Sequence, residues 1–336
     1  MRAVLERWLL ARWFGRPGIL WLLLPLEWLY RALLPFREPA DRSPPVPVIV
    51  VGNLAVGGSG KTPLVLALLR AATARGLRVG VIARGHGGRG PFPLRVRPDT
   101  DPALCGDEPA LIVRRHDVPF IVAPDRAAAL ASLLADAHPD LVISDDGLQH
   151  RALPRTFEIA VVDGRRGFGN GHCLPLGPLR EPVARLQRVD AVVINGQPPA
   201  ALAAAAGDAT AMQLRPVLFR RVGSEETLTL EAARARFGER VTALAGIGDP
   251  ARFFATLQSL GHVVDGHAFP DHHLFVAGDL RRFAGRPLLM TEKDAVKCVV
   301  PVRVTGIEAW YLQVDAVLPA EFFARVFARA GLPERS

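Results

Sequence analysis

Six consecutive residues, Gly57-Gly58-Ser59-Gly60-Lys61-Thr62, have the types needed to hold a polyphosphate. Successive glycines let backbone N–H groups fold round an anion, and a helix beginning there adds its positive dipole end. Lys61 would reach the β- and γ-phosphates of a nucleotide, and the Thr62 hydroxyl would ligand Mg²⁺. The strict pattern has glycine where this chain has Ala55. Further along, the apolar run of LVISDDGLQH ends in Asp145 and Asp146. An aspartate at such a strand end commonly supports the Mg²⁺ held by the loop threonine. A second acidic pair, Asp107 and Glu108, precedes a helical pattern, where helix capping is the plain alternative. Asp125 and Arg126 follow PFIVAP. Arg126 suits a phosphate, or simply opens the alanine-rich helix behind it. FPDHHLF carries Asp271, His272 and His273, with His262 and His267 nearby. No cysteine joins these histidines and their spacing matches no zinc signature, so zinc is set aside.

The elements around these residues place them at one edge of a sheet. Val46 to Val51 is β-branched and apolar, as an interior parallel strand requires. A helix follows through Thr73, with Pro63 in its first turn and Gly76 beyond its end. Leu77 to Ala83 is the next strand and delivers the basic loop ARGHGGRG. Phe157 to Val162 and Val189 to Ile194 are further strands, separated by a Gly/Pro-rich loop (168–182) bearing Arg180 and Glu181. Loops after parallel strands lie at the carboxyl edge, where ligands bind. The alternation implies a P-loop NTPase-like, doubly wound, mainly parallel α/β sheet. A boundary is expected in the alanine-rich stretch 198–210. A smaller second α/β domain follows, with a strand at Val241–Leu244, a helix at Pro250–Leu260, a strand at Leu288–Thr291 and a terminal helix at 319–330. The expected divisions are 1–40, 41–209 and 210–336.

The 336 residues carry a net charge of +8 and a mean hydropathy of +0.19. That balance fits an acidic partner or an anionic membrane surface. Only three basic residues are lysine: Lys61, Lys293 and Lys297. Where arginine is the rule, a lysine marks a need for a compact ammonium, so TEKDAVK (291–297) is a suspected second functional segment. Cys105, Cys173 and Cys298 form no CxxC and read as free thiols. Residues 1–38 hold Trp8, Trp13, Trp21 and Trp28 among Arg2, Arg7, Arg12, Arg16, Arg31 and Arg37. The longest uncharged run is too short to cross a bilayer, and no signal-peptide cleavage site follows it. Tryptophan and leucine flanked by arginine suit an interfacial, monotopic anchor, with a packed core helix as the alternative. Outside this segment no basic cluster with interleaved aromatics occurs, so nucleic acid is not expected. No obligate protein partner is evident.

In order along the chain stand GNLAVGGSGKTP, ARGHGG, GDEP, PDR, SDDGLQH, NGHCLPLGPLREP, FPDHH and TEKDAVK. Together they resemble the tetraacyldisaccharide 4′-kinase family of lipid A biosynthesis, over nearly the whole chain. The resemblance implies transfer of the ATP γ-phosphate to the 4′-hydroxyl of a tetraacylated glucosamine disaccharide 1-phosphate. It implies ATP and Mg²⁺ as cofactors and the cytoplasmic face of a Gram-negative inner membrane as the location. It assigns Asp107 as base, assisted by His272 or His273. Lys61 falls to the phosphates, Asp145 and Asp146 to metal and phosphate organisation, Arg126 to the transferred phosphate or the substrate, and Thr62, Asp146 and Glu108 to the metal. His86 departs from the family, which often has tyrosine there. The rival reading is a membrane-tethered P-loop ATPase switch, which would need neither Asp107 nor FPDHH.

Overall fold

The computed structural model describes residues 2–34 and 43–332. Arg37, Arg42 and the end of the N-terminal segment at 35–40 lie outside the described residues. Thirteen strands form one sheet. In chain order they are β1 (Val48–Gly52), β2 (Val79–Ala83), β3 (Leu94–Val96), β4 (Phe120–Val122), β5 (Leu141–Asp145), β6 (Phe157–Asp163), β7 (Ala191–Asn195), β8 (Thr210–Arg221), β9 (Thr227–Thr229), β10 (Arg240–Ala245), β11 (Val263–Ala268), β12 (Leu288–Thr291) and β13 (Ala309–Val317). The helices are α1 (Arg2–Trp13), α2 (Leu24–Leu33), α3 (Lys61–Thr73), α4 (Pro102–Cys105), α5 (Asp107–Arg115), α6 (Arg126–Asp136), α7 (Ala200–Ala206), α8 (Leu230–Phe237), α9 (Pro250–Ser259), α10 (Ala277–Arg281), α11 (Glu292–Thr305) and α12 (Ala320–Arg329).

The spatial order is β11-β10-β12-β13-β8-β7-β6-β1-β5-β2-β4-β3, with β9 paired to β8. From β7 to β4 all pairings are parallel, as are those from β11 to β13. Strands buried on both faces need continuous apolar runs, and β1 and β2 are buried at every position. Alternate side chains of β1 feed two cores. Ile49 and Val51 pack with Leu64, Leu68 and Leu111 from α3 and α5; Val48 and Val50 pack with Leu130 and Leu133 from α6.

The expected division at 209/210 falls at the start of β8. This twelve-residue strand pairs parallel with β7 over Thr210–Met212 and antiparallel with β13 over Gln213–Arg221. It therefore joins the two parallel blocks edge to edge. The stretch 198–210, featureless in sequence, contains α7. Contacts of α5 with α11 and β13 tie the blocks a second time: Arg114 Nη1 donates to the Val296 carbonyl (3.0 Å), and Arg115 pairs with Glu292 (2.8 Å) on α11 and Asp315 (2.9 Å) on β13.

At the N-terminus α1, a 3-10 turn (Gly18–Leu23) and α2 cover the 168–182 loop. Trp13 and Leu20 are buried there with Leu176. The outer face is apolar and open: Ile19, Trp21, Leu22, Leu26, Trp28, Leu29 and Leu33 are all exposed, Leu22 at 76%. No helix among the described residues is long and apolar enough to cross a membrane.

Candidate active site

β1 ends at Gly52, and the chain turns through the glycine run into α3. Gly57 and Gly60 have φ of +106° and +94°, where a side chain is strained. A Cβ on Gly60 would sit 2.5 Å from Asn195 Nδ2. Asn195 uses that amide to brace the loop, donating to the Ser59 carbonyl (3.1 Å). Asn53 braces the other side by donating to the Ala55 and Gly57 carbonyls (2.7 and 3.1 Å). Gly58 faces open space, so an anion can approach its backbone. Lys61 opens α3 with Thr62 beside it.

Asp145 closes β5, adjacent to β1, and Asp146 follows with φ +53°. Lys61 Nζ lies 3.5 Å from Asp146 Oδ1, and Arg180 Nη1 lies 3.2 Å from Oδ2. Burial would raise the Asp146 pKa, but Lys61 and Arg180 outweigh it and hold it at about 2. Asp145 behaves oppositely. Burial and the nearby Glu108 carboxylate push it up to about 7 against the pull of Lys61. Its Oδ1 is buried without a hydrogen-bond partner among the described residues. Two carboxylates thus converge with negative charge to spare, and one buried acceptor is unused. That donor set suits a hard divalent cation held by few protein oxygens and completed by phosphate and water. Asp146, expected at the metal, faces two cations here, Lys61 and Arg180.

The second cluster gathers at Asp107, the first residue of α5. Gly106 precedes it with φ +95°, and a Cβ there would meet the His86 carbonyl at 2.6 Å. Asp107 is 6% exposed, and its Oδ1 accepts from the Glu108 N–H (3.1 Å) in the first turn of α5. Its Oδ2 accepts from His272 Nδ1 (3.0 Å) and faces Lys293 Nζ (3.7 Å) and Lys297 Nζ (3.8 Å). Burial alone would raise its pKa; the His272 hydrogen bond and the two lysines prevail and hold it at about 2. The same hydrogen bond is the main reason His272 is raised above the ordinary histidine value. His272 sits at φ +58°. Asp146 and His272 are the non-glycine residues with positive φ among those described, and both belong to this site, as stored backbone strain often does.

Lys293 links the two clusters, reaching Glu108 Oε1 (3.3 Å) and Asp271 Oδ1 (3.7 Å) as well as Asp107. Burial disfavours its charge, but these carboxylates raise its pKa above the usual lysine value. Lys297 is paired to buried Asp294 (3.0 Å) and lies over the Phe275 ring. Both lysines stand on α11, so Asp107 is surrounded by groups from the far block.

Some expected residues lie elsewhere. His273 Nε2 bonds Asp279 Oδ2 (3.0 Å) and packs on Phe269 and Phe275, not on Asp107. Arg126 is buried, donating to the carbonyls of Ala123, Pro124 and Asp146, so its contact with Asp146 is through the main chain. Asp125 caps α6 by accepting from the Ala127 N–H (2.9 Å). Sequence reading left four neighbours without a role: Lys293, Lys297, Asp271 and His86. The His86 ring meets that of His272 edge-on, centroids 5.5 Å apart. The scarcity of lysine was the signal for the first two.

A mainly parallel α/β fold, with a glycine-rich loop and a buried carboxylate paired to a half-exposed histidine beyond it, is an arrangement suited to a phosphotransfer enzyme. The family model for tetraacyldisaccharide-1-P 4′-kinase matches residues 19–330. The tetraacyldisaccharide 4′-kinase of Pseudomonas aeruginosa (strain LESB58) is 48% identical over 332 residues, covering 96% of each chain. That of Hahella chejuensis is 47% identical over 336 residues, again covering 96% of each. A crystal structure of LpxK from Aquifex aeolicus in complex with ATP superposes with a TM-score of 0.72 at 27% identity, over 93% of this chain and 99% of that one. The chain belongs to the tetraacyldisaccharide-1-P 4′-kinase family, whose members are kinases of lipid A biosynthesis.

Proposed function

We propose that the protein transfers the γ-phosphate of ATP to the 4′-hydroxyl of a tetraacylated glucosamine disaccharide 1-phosphate. The observation that carries this is the Asp107–His272 pair, assembled from both blocks and linked through Lys293 and Glu108 to the glycine-loop side. An ATPase switch has no use for a proton-accepting carboxylate–histidine pair of this kind.

The backbone of Gly57–Gly60 and the N-terminus of α3 bind the β- and γ-phosphates, and the Lys61 ammonium neutralises their growing charge. Arg180 adds a second cation beside Asp146. Thr62, Glu108, Asp145 and Asp146 stand where Mg²⁺ would be held, with Asp145 offering the free acceptor; when bound, the ion supplies further charge neutralisation of the phosphates. The 4′-oxygen attacks the γ-phosphorus as the bond to the β,γ-bridging oxygen breaks, and ADP leaves. The hydroxyl proton passes to the Asp107–His272 pair. Lys293 and Lys297 fix the carboxylate, and His272 has the raised basicity needed to retain the proton. Residues 1–40 form the anchor in this reading, 41–209 the nucleotide-binding core, and 210–336 the block that brings His272 and the lysines.

The exposed tryptophans and leucines of the N-terminal helices suit insertion at a bilayer surface. An acylated substrate requires such access, since each methylene drawn into water costs about 0.8 kcal/mol. The cytoplasmic face of a Gram-negative inner membrane, where ATP is available, is the location that follows. Incubation with Mg²⁺, ATP and the acylated disaccharide 1-phosphate should yield a new phosphomonoester at the 4′ position. ATP consumption without that product would refute the reading.

A further inference from the structure

The N-terminal helices touch more than their own small core. The Tyr30 hydroxyl donates to the Arg180 carbonyl (2.7 Å). One turn earlier on α2, Glu27 is 1% exposed, an unusual place for a carboxylate. Its oxygens accept from the Cys173 backbone N–H and the His172 ring, each at 2.8 Å. Two grips from one helix therefore hold the 168–182 loop at both ends of its inner stretch. Trp13 adds a third, donating from Nε1 to the Pro175 carbonyl (3.1 Å).

The other side of this loop is seated on the glycine-loop strand end. The Arg180 N–H donates to the Leu54 carbonyl (2.6 Å), and the Val56 N–H donates to the Pro178 carbonyl (2.8 Å). The Arg180 side chain then crosses to Asp146, whose other oxygen faces Lys61. Arg180 is thus fixed at its own main chain by two bonds of opposite origin, one from the core and one from α2. The loop also has bonds of its own, the Leu174 N–H to the Leu179 carbonyl (2.9 Å) and the Leu179 N–H to the His172 carbonyl (3.1 Å). It is neither helix nor strand, so the grip from α2 adds to what fixes the main chain from which the guanidinium reaches Asp146 and Gln149.

We propose that Tyr30 and Glu27 are positioning residues for the reaction: through the 168–182 loop, α2 sets Arg180 against Asp146 beside Lys61. The inference rests on the proposed role of Arg180 and Lys61 at the transferred phosphate. It gives α2 a second task besides carrying part of the open apolar face. The helix that meets the bilayer also orders the phosphate site.

The test is a double-mutant cycle on the full chain, with ATP, Mg²⁺ and the acylated disaccharide 1-phosphate in mixed phospholipid vesicles. Tyr30→Phe deletes one hydroxyl and keeps the ring. It should lower kcat roughly three- to tenfold, the factor one neutral hydrogen bond carries, with melting temperature and vesicle co-sedimentation unchanged. In an Arg180→Ala background the same change should alter kcat by less than about twofold, because residues in one network are not additive. Glu27→Gln should follow the same pattern and guards against a peculiarity of the tyrosine site. A merely structural role predicts equal proportional losses in both backgrounds, or a fall in melting temperature that tracks the loss; either result overturns the proposal. If Arg180→Ala costs activity and Tyr30→Phe costs none, the positioning role alone is wrong. If Arg180→Ala is itself neutral, the assignment of Arg180 to the phosphate fails and the proposal goes with it.

Discussion

Replacing Asp107 by asparagine keeps the shape of the side chain and removes its charge. The structure separates two consequences. Asp107 Oδ2 faces His272, Lys293 and Lys297, and breaking a buried ion pair by removing one partner costs about 3–5 kcal/mol. Lys297 keeps Asp294, and Lys293 keeps Glu108 and Asp271, so the loss should sit at the lower end, about 3 kcal/mol. A protein of ordinary stability, about 5–15 kcal/mol, then remains almost entirely folded. Unfolding cannot remove more than a few per cent of the activity. Loss of the proton acceptor should lower kcat by about 10²–10⁴, while ATP affinity stays unchanged because Asp107 does not face the glycine loop. The pH–rate profile supplies a second check. The pair must be free to take a proton, so the rate should rise with pH through a midpoint above the usual histidine value. The hydrogen bond to Asp107 is the main cause of that raised midpoint. In Asp107→Asn the midpoint should therefore fall, and in His272→Gln this limb should vanish, whereas His273→Gln should leave it in place. The assay is kcat, nucleotide affinity and melting temperature on one preparation across pH 5–9. A folded Asp107→Asn protein with kcat within about tenfold of the parent would refute the assignment.

Lys61→Ala should abolish turnover with little change in melting temperature, since Asp146 keeps Arg180; near-normal phosphorylation would disprove the phosphate-loop reading. In the free protein, Asp145 pushed up to about 7 means that the folded state holds a proton the unfolded chain has released above its ordinary carboxylate range. Stability should therefore fall as pH rises through that window, and Mg²⁺ with nucleotide should raise the melting temperature more at pH 8 than at pH 5.5. Chelation with EDTA should reverse that gain, and Asp145→Asn should reduce the pH dependence, leaving the part due to buried Glu292, also pushed up to about 7. Replacing Leu22 and Trp28, both exposed, by serine should release the protein from sedimenting vesicles without lowering its melting temperature; unchanged sedimentation would place the membrane contact elsewhere.

The local chemistry of the first block was legible because its signals are short-range. A β-branched run before glycines, or an apolar run before Asp145, needs no knowledge of the rest of the chain. The strands β1, β5 and β12 are of this kind. β8 was not legible, because an antiparallel strand at a block junction carries no continuous apolar run; only Met212 and Phe219 of β8 are buried, in a stretch with several arginines. β13 has only a short apolar start, Ala309 to Leu312, before polar residues. The choice between His272 and His273 was also closed to sequence, since adjacent residues in a loop point wherever the backbone turns. The left-handed conformation at His272 decides it, sending that ring to Asp107 and its neighbour to Asp279. Asp107 itself was legible only as a carboxylate before a helix. Its cations lie more than 160 residues away in the chain, beyond any local pattern.

The three lysines have a common physical setting. Each stands against a buried or half-buried carboxylate in the site: Lys61 by Asp146, Lys293 among Glu108, Asp107 and Asp271, Lys297 between Asp294 and Asp107. A guanidinium has five donors in a rigid fork and needs acceptors for them; an ammonium is compact, with three donors on a flexible stem. At Lys297 the side chain is 4% exposed, with its ammonium over the Phe275 ring and between Asp294 Oδ1 and Asp107 Oδ2, a confined setting that suits a compact charge. The arginines reach several acceptors at once: Arg126 and Arg155 each satisfy several carbonyls, Arg115 joins Glu292 to Asp315, and Arg180 reaches Asp146 and Gln149. The amino-acid bias of the chain is thus divided by task. Arginine bridges several acceptors, Arg180 in the site included, and each lysine puts a single point of positive charge beside a carboxylate of the site.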